Sequence, residues 1–461
     1  MPKRPARTNT LWSPSATPDA MMMAYTVGDD PTWDARLLAW DILGSLGHIE
    51  GLRASGLLGT GDHRRLRAGL REALRLARRG ELAIGRSHED AHSAVEDWLT
   101  RRLGTAGARV HTGRSRNDQV AVDLRLYLKD ALLILHQRTL ELAGVLLTFA
   151  GRHQRVLWPG YTHQRRAMPS SVGLWAAGLA EGLLTSADSL PALWGRVDRC
   201  PLGSAAGYGV PLPLRREVPM RALGFGGLDQ VVTSVQLGRG KLEAAVLAWC
   251  VDLGHDLGRL ASDVILLSSE EFGFLVLPPE LATGSSIMPH KRNPDLFELT
   301  RARAAALEGD LAGILSLKGK LTSGYHRDFQ LLKAPLFQGL DRTGEMLAMM
   351  AHAVPRLEVD AARSRAALRG EALVTDEVMR RVEQGVPFRQ AYRDVAAEYK
   401  RGVIFTTPTD GDLIRRRRSV GGLGNLGLPA LRSRLGSGRR WQRRERQRFD
   451  RAIARLAGNR Q

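Results

Sequence analysis

A polar segment at 282–295, ATGSSIMPHKRNPD, contains residue types that could take part in chemistry. Backbone N–H groups of its Gly-Ser-Ser run can point at an anion, and Lys291 and Asn293 add a positive charge and a further donor. The segment lacks the GxxxxGK[ST] spacing, which excludes a phosphate-binding P-loop. Its composition is also compatible with a mobile surface loop, so by itself it indicates an anion site without deciding it.

Four other polar stretches lie at the ends of predicted helices: VHTGRSRNDQ (110–119), PGYTHQRRAMPSS (159–171), CPLGSAAGYG (200–209) and SGYHRDFQLLK (323–333). In the first of them, Arg114 and Arg116 can offer bidentate donors to carboxylates. Alternatively, Ser115, Asn117 or Asp118 caps the helix that follows and the arginines are solvated.

The second and fourth of these stretches add further candidates. His163 follows Thr162, although a lone histidine is more often structural than catalytic. Tyr325, Gln330 and Lys333 have a spacing that can lie along one face at the start of a helix. Together the polar stretches predict a site for a small molecule with several carboxylates and without a metal.

The chain is strongly basic, with 461 residues, a formal charge of +19 and a pI near 10.8. Its length allows two or three domains. Basic patches are typical of nucleic-acid binders, but here arginines are spread along predicted helices among acidic residues and no recognition motif accompanies them. We therefore favour solvated helix faces. The densest cationic runs are RRRRS (415–419) and RRWQRRERQR (439–448), which could hold an acidic partner or form a charged helical tail.

Cysteine usage and hydropathy indicate the compartment. Cys200 and Cys250 are isolated from each other and from any Cys/His cluster, which argues against a disulfide framework or a zinc site. No signal-peptide pattern follows the basic N-terminus, and unbroken apolar runs are far shorter than a membrane span. The sequence thus predicts a soluble cytoplasmic protein.

Helical periodicity dominates the chain. In 241–272, apolar residues recur at helical spacings on one face: Leu242, Val246, Leu253, Leu257, Leu260, Val264 and Leu267. Further long helices are predicted at 118–155, 170–195, about 296–318, and 336–366 with an interruption at Pro355. The prediction is an all-α fold in three domains: an N-terminal helical domain (1–110), a central long-helix bundle (111–366) and a small C-terminal domain with a basic tail (367–461). Stripes this long favour an oligomer.

The polar motifs resemble those of a known enzyme family. TGSSIMPHKRNP is similar to the flexible signature loop of the fumarase/aspartase superfamily. Within that superfamily, HTGRSRNDQ, GYTH and GYHRDFQLLK resemble the argininosuccinate lyases. Segments 25–49 and 87–104 also resemble that family's first domain, so the similarity extends over essentially the whole chain.

The resemblance implies a fold and an activity. The fold is three mainly helical domains, with four chains sharing a twenty-helix core and each active site combining loops from three subunits. The reaction is elimination of fumarate from N-(L-arginino)succinate, leaving L-arginine, without a cofactor or a metal. A base removes the succinyl Cβ proton while the adjacent carboxylate accepts the developing charge.

The resemblance also implies residue roles. Ser285 is the base, with its alkoxide stabilised by nearby amides and Lys291 when the loop closes. His163 is the other acid/base group, and Glu298 holds its tautomer; the group that protonates the leaving nitrogen stays open. The residues expected to bind substrate are Arg116, Asn117, Thr162, Asn293, Tyr325, Gln330 and Lys333.

The chain departs from the family pattern at several places. Arg165 stands where the family usually has Gln, and Gln164 where it has Leu or Met. LWSPSATPD (11–19) replaces a Trp-Gly-Gly-Arg stretch, and an expected substrate-binding Ser near Val27–Asp30 cannot be assigned. Because arginine is abundant throughout the chain, we expect Arg165 to face solvent or a subunit interface.

Two alternatives compete with this prediction. The chain could be another lyase of the superfamily that acts on a different substituted succinate, with Arg165 changing the pocket. It could also be an inactive structural or nucleic-acid-associated homologue, as the basic C-terminus suggests. The joint presence of Ser285, His163, Lys291 and Glu298 argues against the inactive homologue.

Overall fold

The computed structural model describes residues 19–84, 88, 90–405 and 408–458, and α-helices dominate them. The helices are α1 Ala20–Val27, α2 Asp30–Asp34, α3 Leu38–Ala54, α4 Thr60–Arg78, α5 Ala91–Leu103, α6 Thr105–Ala108, α7 Arg116–Arg152, α8 Val172–Val197, α9 Glu217–Ala222, α10 Thr233–Leu237, α11 Lys241–Leu267, α12 Asp295–Lys318, α13 Lys333–Ala353, α14 Ala361–Ala367, α15 Val374–Glu383, α16 Phe388–Lys400, α17 Asp410–Arg416 and α18 Leu428–Ala457. The strands are β1 Leu157–Thr162, β2 Arg165–Ser171, β3 Arg199–Cys200, β4 Gly227–Leu228, β5 Leu275–Val276, β6 Thr283–Gly284, β7 Arg292–Asn293 and β8 Glu358–Val359. The predicted all-α fold class is confirmed, and the stretch before residue 19, with most of LWSPSATPD, lies outside the described residues.

The centre of the molecule is a bundle of the long helices α7, α8, α11, α12 and α13, which pack against one another. Their apolar stripes meet in one continuous core, as the helical periodicity predicts. One window of α7 is long and apolar enough to cross a membrane, but 61% of that window is buried inside the protein, as expected for a core helix. Cys250 lies in this core, and burial raises the pKa of its thiol to about 12.

Pro355 ends the helical segment predicted at 336–366. The helix α13 stops at Ala353, a short 3₁₀ turn covers Val354–Arg356, and the chain then pairs β8 with β5 before α14 begins. The prediction of an interruption at this proline is confirmed, because a proline inside a helix lacks the N–H and clashes with the preceding turn.

The stretch 159–171 belongs to an antiparallel hairpin of β1 and β2, which the sequence analysis did not predict. Thr162 pairs with Arg165, so the turn consists of His163 and Gln164, whose φ angles are +52° and +57°. Positive φ at both central residues matches the right-handed twist of a two-residue hairpin, although Asn and Gly are the usual residues there. The hairpin therefore holds His163 at its tip in a conformation that costs energy.

The helix α18 packs back onto the rest of the protein. Leu428, Leu431 and Leu435 join the core of the bundle, while Phe449 and Leu456 join a second core built around α3, α4 and α5. Three of its arginines form ion pairs with earlier helices: Arg434–Asp188, Arg446–Asp130 and Arg448–Asp198. The dense cationic run at 439–448 is thus part of a packed helix. The domain boundaries at 110 and 366 stay predictions.

Candidate active site

A cavity of about 180 Å³ gathers five of the residues expected to bind substrate. It lies where the start of α7, the start of α13 and the N-terminal segment meet. The expected residues that line it are Arg116, Asn117, Tyr325, Gln330 and Lys333, and the other lining residues are Val27, Asp30, Asp34, Asp90, His92, Val120, Arg239, Arg327 and Phe329. Its volume is below the roughly 300–1,000 Å³ that usually encloses a small ligand.

Arg116 and Asn117 are held by the first turn of α7. Ser115 caps that helix, and Asp118 bonds back to the backbone N–H of Ser115 at 3.0 Å. The capping role considered for these residues is therefore present, and Arg116 also lines the cavity. The Arg116 guanidinium donates to Asp90 at 2.8 Å.

Gln330 and Lys333 connect the start of α13 to the N-terminal segment. The Gln330 side-chain amide donates to the backbone oxygen of Val27 at 2.8 Å, and the Lys333 ammonium donates to Asp30 at 2.8 Å and also to Asp34. Lys333 is buried, which lowers its pKa, but the two carboxylates more than compensate and raise it. Lys333 thus carries a positive charge at the cavity wall.

Six further polar residues of the cavity wall were missed by sequence reasoning: Asp30, Asp34, Asp90, His92, Arg239 and Arg327. Asp90 and His92 lie next to each other at the start of α5, and Arg239 lies just before α11. Arg239 is buried and pairs with Glu243 at 3.0 Å, so its charge is largely balanced within the protein. The sequence signal that could have identified Asp90 and His92 was their position in segment 87–104, which resembles the first domain of the family.

His92 belongs to a buried polar network under the cavity. Its Nδ1 lies 2.9 Å from Asp41 Oδ1 and 3.7 Å from Asp123 Oδ2. Burial lowers the pKa of His92, but the carboxylates, Asp41 foremost, outweigh it and raise the pKa to about 10. These three side chains are close enough to hold a metal ion. We interpret the network as holding a proton instead, because Asp41 bonds to His92 Nδ1 and the carboxylates raise the pKa of the ring.

The signature segment forms a separate hairpin of β6 and β7, and none of its residues lines the cavity. Ser285 is partly exposed, and its Oγ accepts hydrogen bonds from the N–H groups of Ile287 (3.4 Å) and Met288 (3.2 Å). Lys291 is exposed, and the Asn293 side chain donates to the Gly284 oxygen at 3.4 Å. The amides expected to stabilise a Ser285 alkoxide are thus already directed at its oxygen.

His163 and Thr162 lie at the exposed tip of the β1–β2 hairpin, and Glu298 is exposed in the first turn of α12. Within the described ranges, no hydrogen bond joins His163 to Glu298 or to Ser285. Within one chain, the expected site residues therefore lie in the cavity, the signature hairpin and the tip of the β1–β2 hairpin, with Glu298 apart from them in α12. Their assembly into one site stays a prediction that requires further subunits.

Arg165 is exposed and lines a different cavity, of about 540 Å³, together with Tyr161, Arg166 and Glu371. Arg166 pairs with Glu371 at 3.1 Å, which ties the hairpin to the 3₁₀ turn Gly370–Leu373. The Arg165 side chain has no hydrogen bond or ion pair within the part of the chain that the structure describes. Its exposure agrees with the expected solvent or interface position, but its relation to substrate is untested.

Comparison with known proteins identifies sequence relatives along nearly the whole chain. A family model described as "Lyase" matches residues 19–309. The argininosuccinate lyase of Sorangium cellulosum is 44% identical over 428 residues, which cover 92% of this chain and 98% of that protein. The argininosuccinate lyase of Stenotrophomonas maltophilia is 41% identical over 431 residues and that of Thermotoga neapolitana 40% over 391, with 92% and 85% of this chain covered and 98% of each relative.

Solved structures share the fold at lower sequence identity. EDDS lyase in complex with formate superimposes with a TM-score of 0.79 at 23% identity, covering 96% of this chain and 95% of that one. A class II fumarase from Schistosoma mansoni gives a TM-score of 0.69 at 17% identity, covering 82% and 88%. At such identities the structures establish the fold alone, whereas the sequence relatives establish the family. The chain belongs to the argininosuccinate lyase family of the fumarase/aspartase superfamily.

Proposed function

We propose that the protein is a carbon–nitrogen lyase that cleaves N-(L-arginino)succinate to L-arginine and fumarate, a step of arginine biosynthesis. The observation that carries the proposal is the cavity in which Arg116, Asn117, Tyr325, Gln330 and Lys333 meet. Cationic and amide donors in one place suit a substrate with several carboxylates. Asp30, Asp34 and Asp90 balance these cations and offer acceptors for the cationic end of the substrate.

In the proposed reaction, Ser285 removes the succinyl Cβ proton. A serine hydroxyl is a weak base unless its alkoxide is stabilised. The Ile287 and Met288 N–H groups supply two such donors, and Lys291 would add a charge when the loop closes over substrate. His163, with Glu298 as its partner, is the second acid/base candidate. Thr162 and Asn293 would contact substrate from the hairpin tip and the signature loop.

We further propose that four copies assemble and share their active sites, with the long helices forming the common core. Large apolar side chains are exposed on three of the bundle helices: Leu266, Leu299, Leu315 and Met349 are each more than 40% exposed. Such apolar surface on a helical bundle favours association with another copy. The two buried free cysteines are compatible with a cytoplasmic location.

The test of the proposed activity is fumarate release from the purified protein, followed by the ultraviolet absorbance of fumarate. We expect turnover with argininosuccinate and none with adenylosuccinate or aspartate. Turnover of one of the other two alone would favour a different superfamily lyase. No turnover of any of them, together with failure to complement an arginine auxotroph, would favour the inactive homologue.

A further inference from the structure

We propose that His92 donates the proton to the nitrogen that leaves when the succinyl C–N bond breaks, a role that rests on the proposed function. The reaction needs two proton transfers at different atoms. Ser285 can take the Cβ proton, but the departing nitrogen must receive one from another group. His92 is the cavity residue whose surroundings are built to hold and orient such a proton.

The geometry leaves one ring nitrogen of His92 for a ligand. Nδ1 is engaged by Asp41 at 2.9 Å and lies near Asp123. The residue is only 7% exposed, and it lines the cavity beside Arg116 and Asn117. Nε2 has no partner within the described residues. A histidine held this way presents its free nitrogen to the bound molecule in a single orientation.

The charges under the ring favour an imidazolium. Asp41 bonds to Nδ1 and stabilises the charged ring, as a carboxylate does for a catalytic histidine. Burial, followed by the Asp41 charge, raises the pKa of Asp123 well above its ordinary value, which favours its protonated form. Neither Asp123 oxygen has a hydrogen-bond partner within the described chain. The Asp41 carboxylate therefore lies against the ring, and the Arg114 guanidinium is a second positive charge that interacts with the two carboxyl groups.

The proton transfer is favourable and balanced. The guanidinium group of free arginine has a pKa well above the value near 10 of His92, so the departing nitrogen takes the proton downhill. Ser285 removes the Cβ proton, the Cα–Cβ double bond forms, and the electrons of the C–N bond pass to nitrogen. That nitrogen accepts the proton of Nε2, and neutral His92 is recharged from solvent, to which Ser285 returns its own proton.

The experiment separates C–H cleavage from C–N cleavage in His92→Gln. Fumarate release is measured beside the incorporation of solvent deuterium at the Cβ of unreacted argininosuccinate. Loss of a general acid should slow release by roughly 10²–10⁴-fold while Ser285 continues to exchange the Cβ proton. The matched control is His88→Gln, four positions earlier, whose side chain bonds to Asp97 at 3.0 Å and does not line the cavity. It should keep both rates.

Several outcomes would overturn the role of His92. If release and exchange fell together, the residue would serve binding or folding; if neither fell, it would be dispensable. If His163→Asn still incorporated deuterium at Cβ but released fumarate slowly, while His92→Gln kept the wild-type ratio of the two rates, the proton donor would be His163 instead. A wild-type protein that releases no fumarate from argininosuccinate would refute the proposed function itself. That outcome is distinct from a failure of the His92 proposal, because it is measured on the unmodified enzyme.

A second variant applies if His92→Gln does not fold. Asp41→Asn keeps the ring but removes the charge that stabilises its protonated form, so fumarate release should decline at a lower pH than in wild type. The titratable and charged groups that face His92 and its carboxylates from neighbouring elements are Asp41, Asp90, Asp123, His111 and Arg114. A decline at an unchanged pH would contradict a proton held on His92.

Discussion

At the scale of single residues, Ser285 has the most direct test. Ser285→Ala removes the proposed base and the two backbone hydrogen bonds that its Oγ accepts, but Ser285 neither pairs in β6–β7 nor lines the cavity. We expect kcat to fall by much more than tenfold while substrate still binds, because only the chemical step needs the hydroxyl. Each tenfold is about 1.4 kcal/mol of transition-state stabilisation. A variant that retained more than about a tenth of the wild-type kcat would exclude Ser285 as the base.

His92 also predicts how stability depends on pH. Because its folded pKa is raised to about 10 from 6.5, the charged ring stabilises the native state fully below pH 6.5. That contribution should be lost progressively as pH rises from 6.5 to about 10. The difference in unfolding free energy between wild type and His92→Gln, measured by chemical denaturation across this range, should therefore shrink with pH. A difference that stayed constant would contradict the paired imidazolium.

At the scale of elements, the turn of the β1–β2 hairpin combines strain with a candidate catalytic residue. Gln164 has φ +57°, which only glycine adopts without cost. Glycine relieves the strain of the turn, which raises the free energy of unfolding, but it also gives the unfolded chain more freedom, which lowers it. The net change for Gln164→Gly should therefore lie between zero and an increase of about 0.5–1 kcal/mol. The control Ala167→Gly, in β2 where φ is negative, should lower it by a similar amount. Destabilisation by Gln164→Gly equal to that of the control would show that the turn is unstrained.

At the scale of the whole molecule, the separation of the three residue groups predicts complementation between subunits. The cavity, the signature hairpin and the tip of the β1–β2 hairpin are distinct regions of one chain. If each active site draws on several chains, then mixing Ser285→Ala with His163→Asn should form some hybrid sites with both residues intact. Part of the activity should return after subunit exchange, measured as fumarate release. Verified exchange without recovery would mean that sites are not shared.

Local sequence patterns determined the helices and most of the residue set of the site. The apolar stripe of α11 predicts both its helical state and its buried face, since the helical repeat depends on neighbours a few residues apart. Ser115, Asn117 and Asp118 were the candidate caps of a helix predicted from 118, and the structure selects Ser115, so α7 begins at Arg116. Arg116, Gln330 and Lys333 could be selected by residue type and motif before their common cavity was visible.

Tertiary structure alone decided which distant elements meet. His92 and Asp41 are 51 positions apart, and the hydrogen bond between them requires no repeating residue pattern in either segment. The same is true of α18: its arginines suggest a solvated tail, whereas its leucines and Phe449 pack into two cores. An apolar stripe specifies which face of a helix is buried, but its partner is chosen by shape and charge across the whole chain. For that reason the proton-holding network under the cavity could be found only in the folded protein.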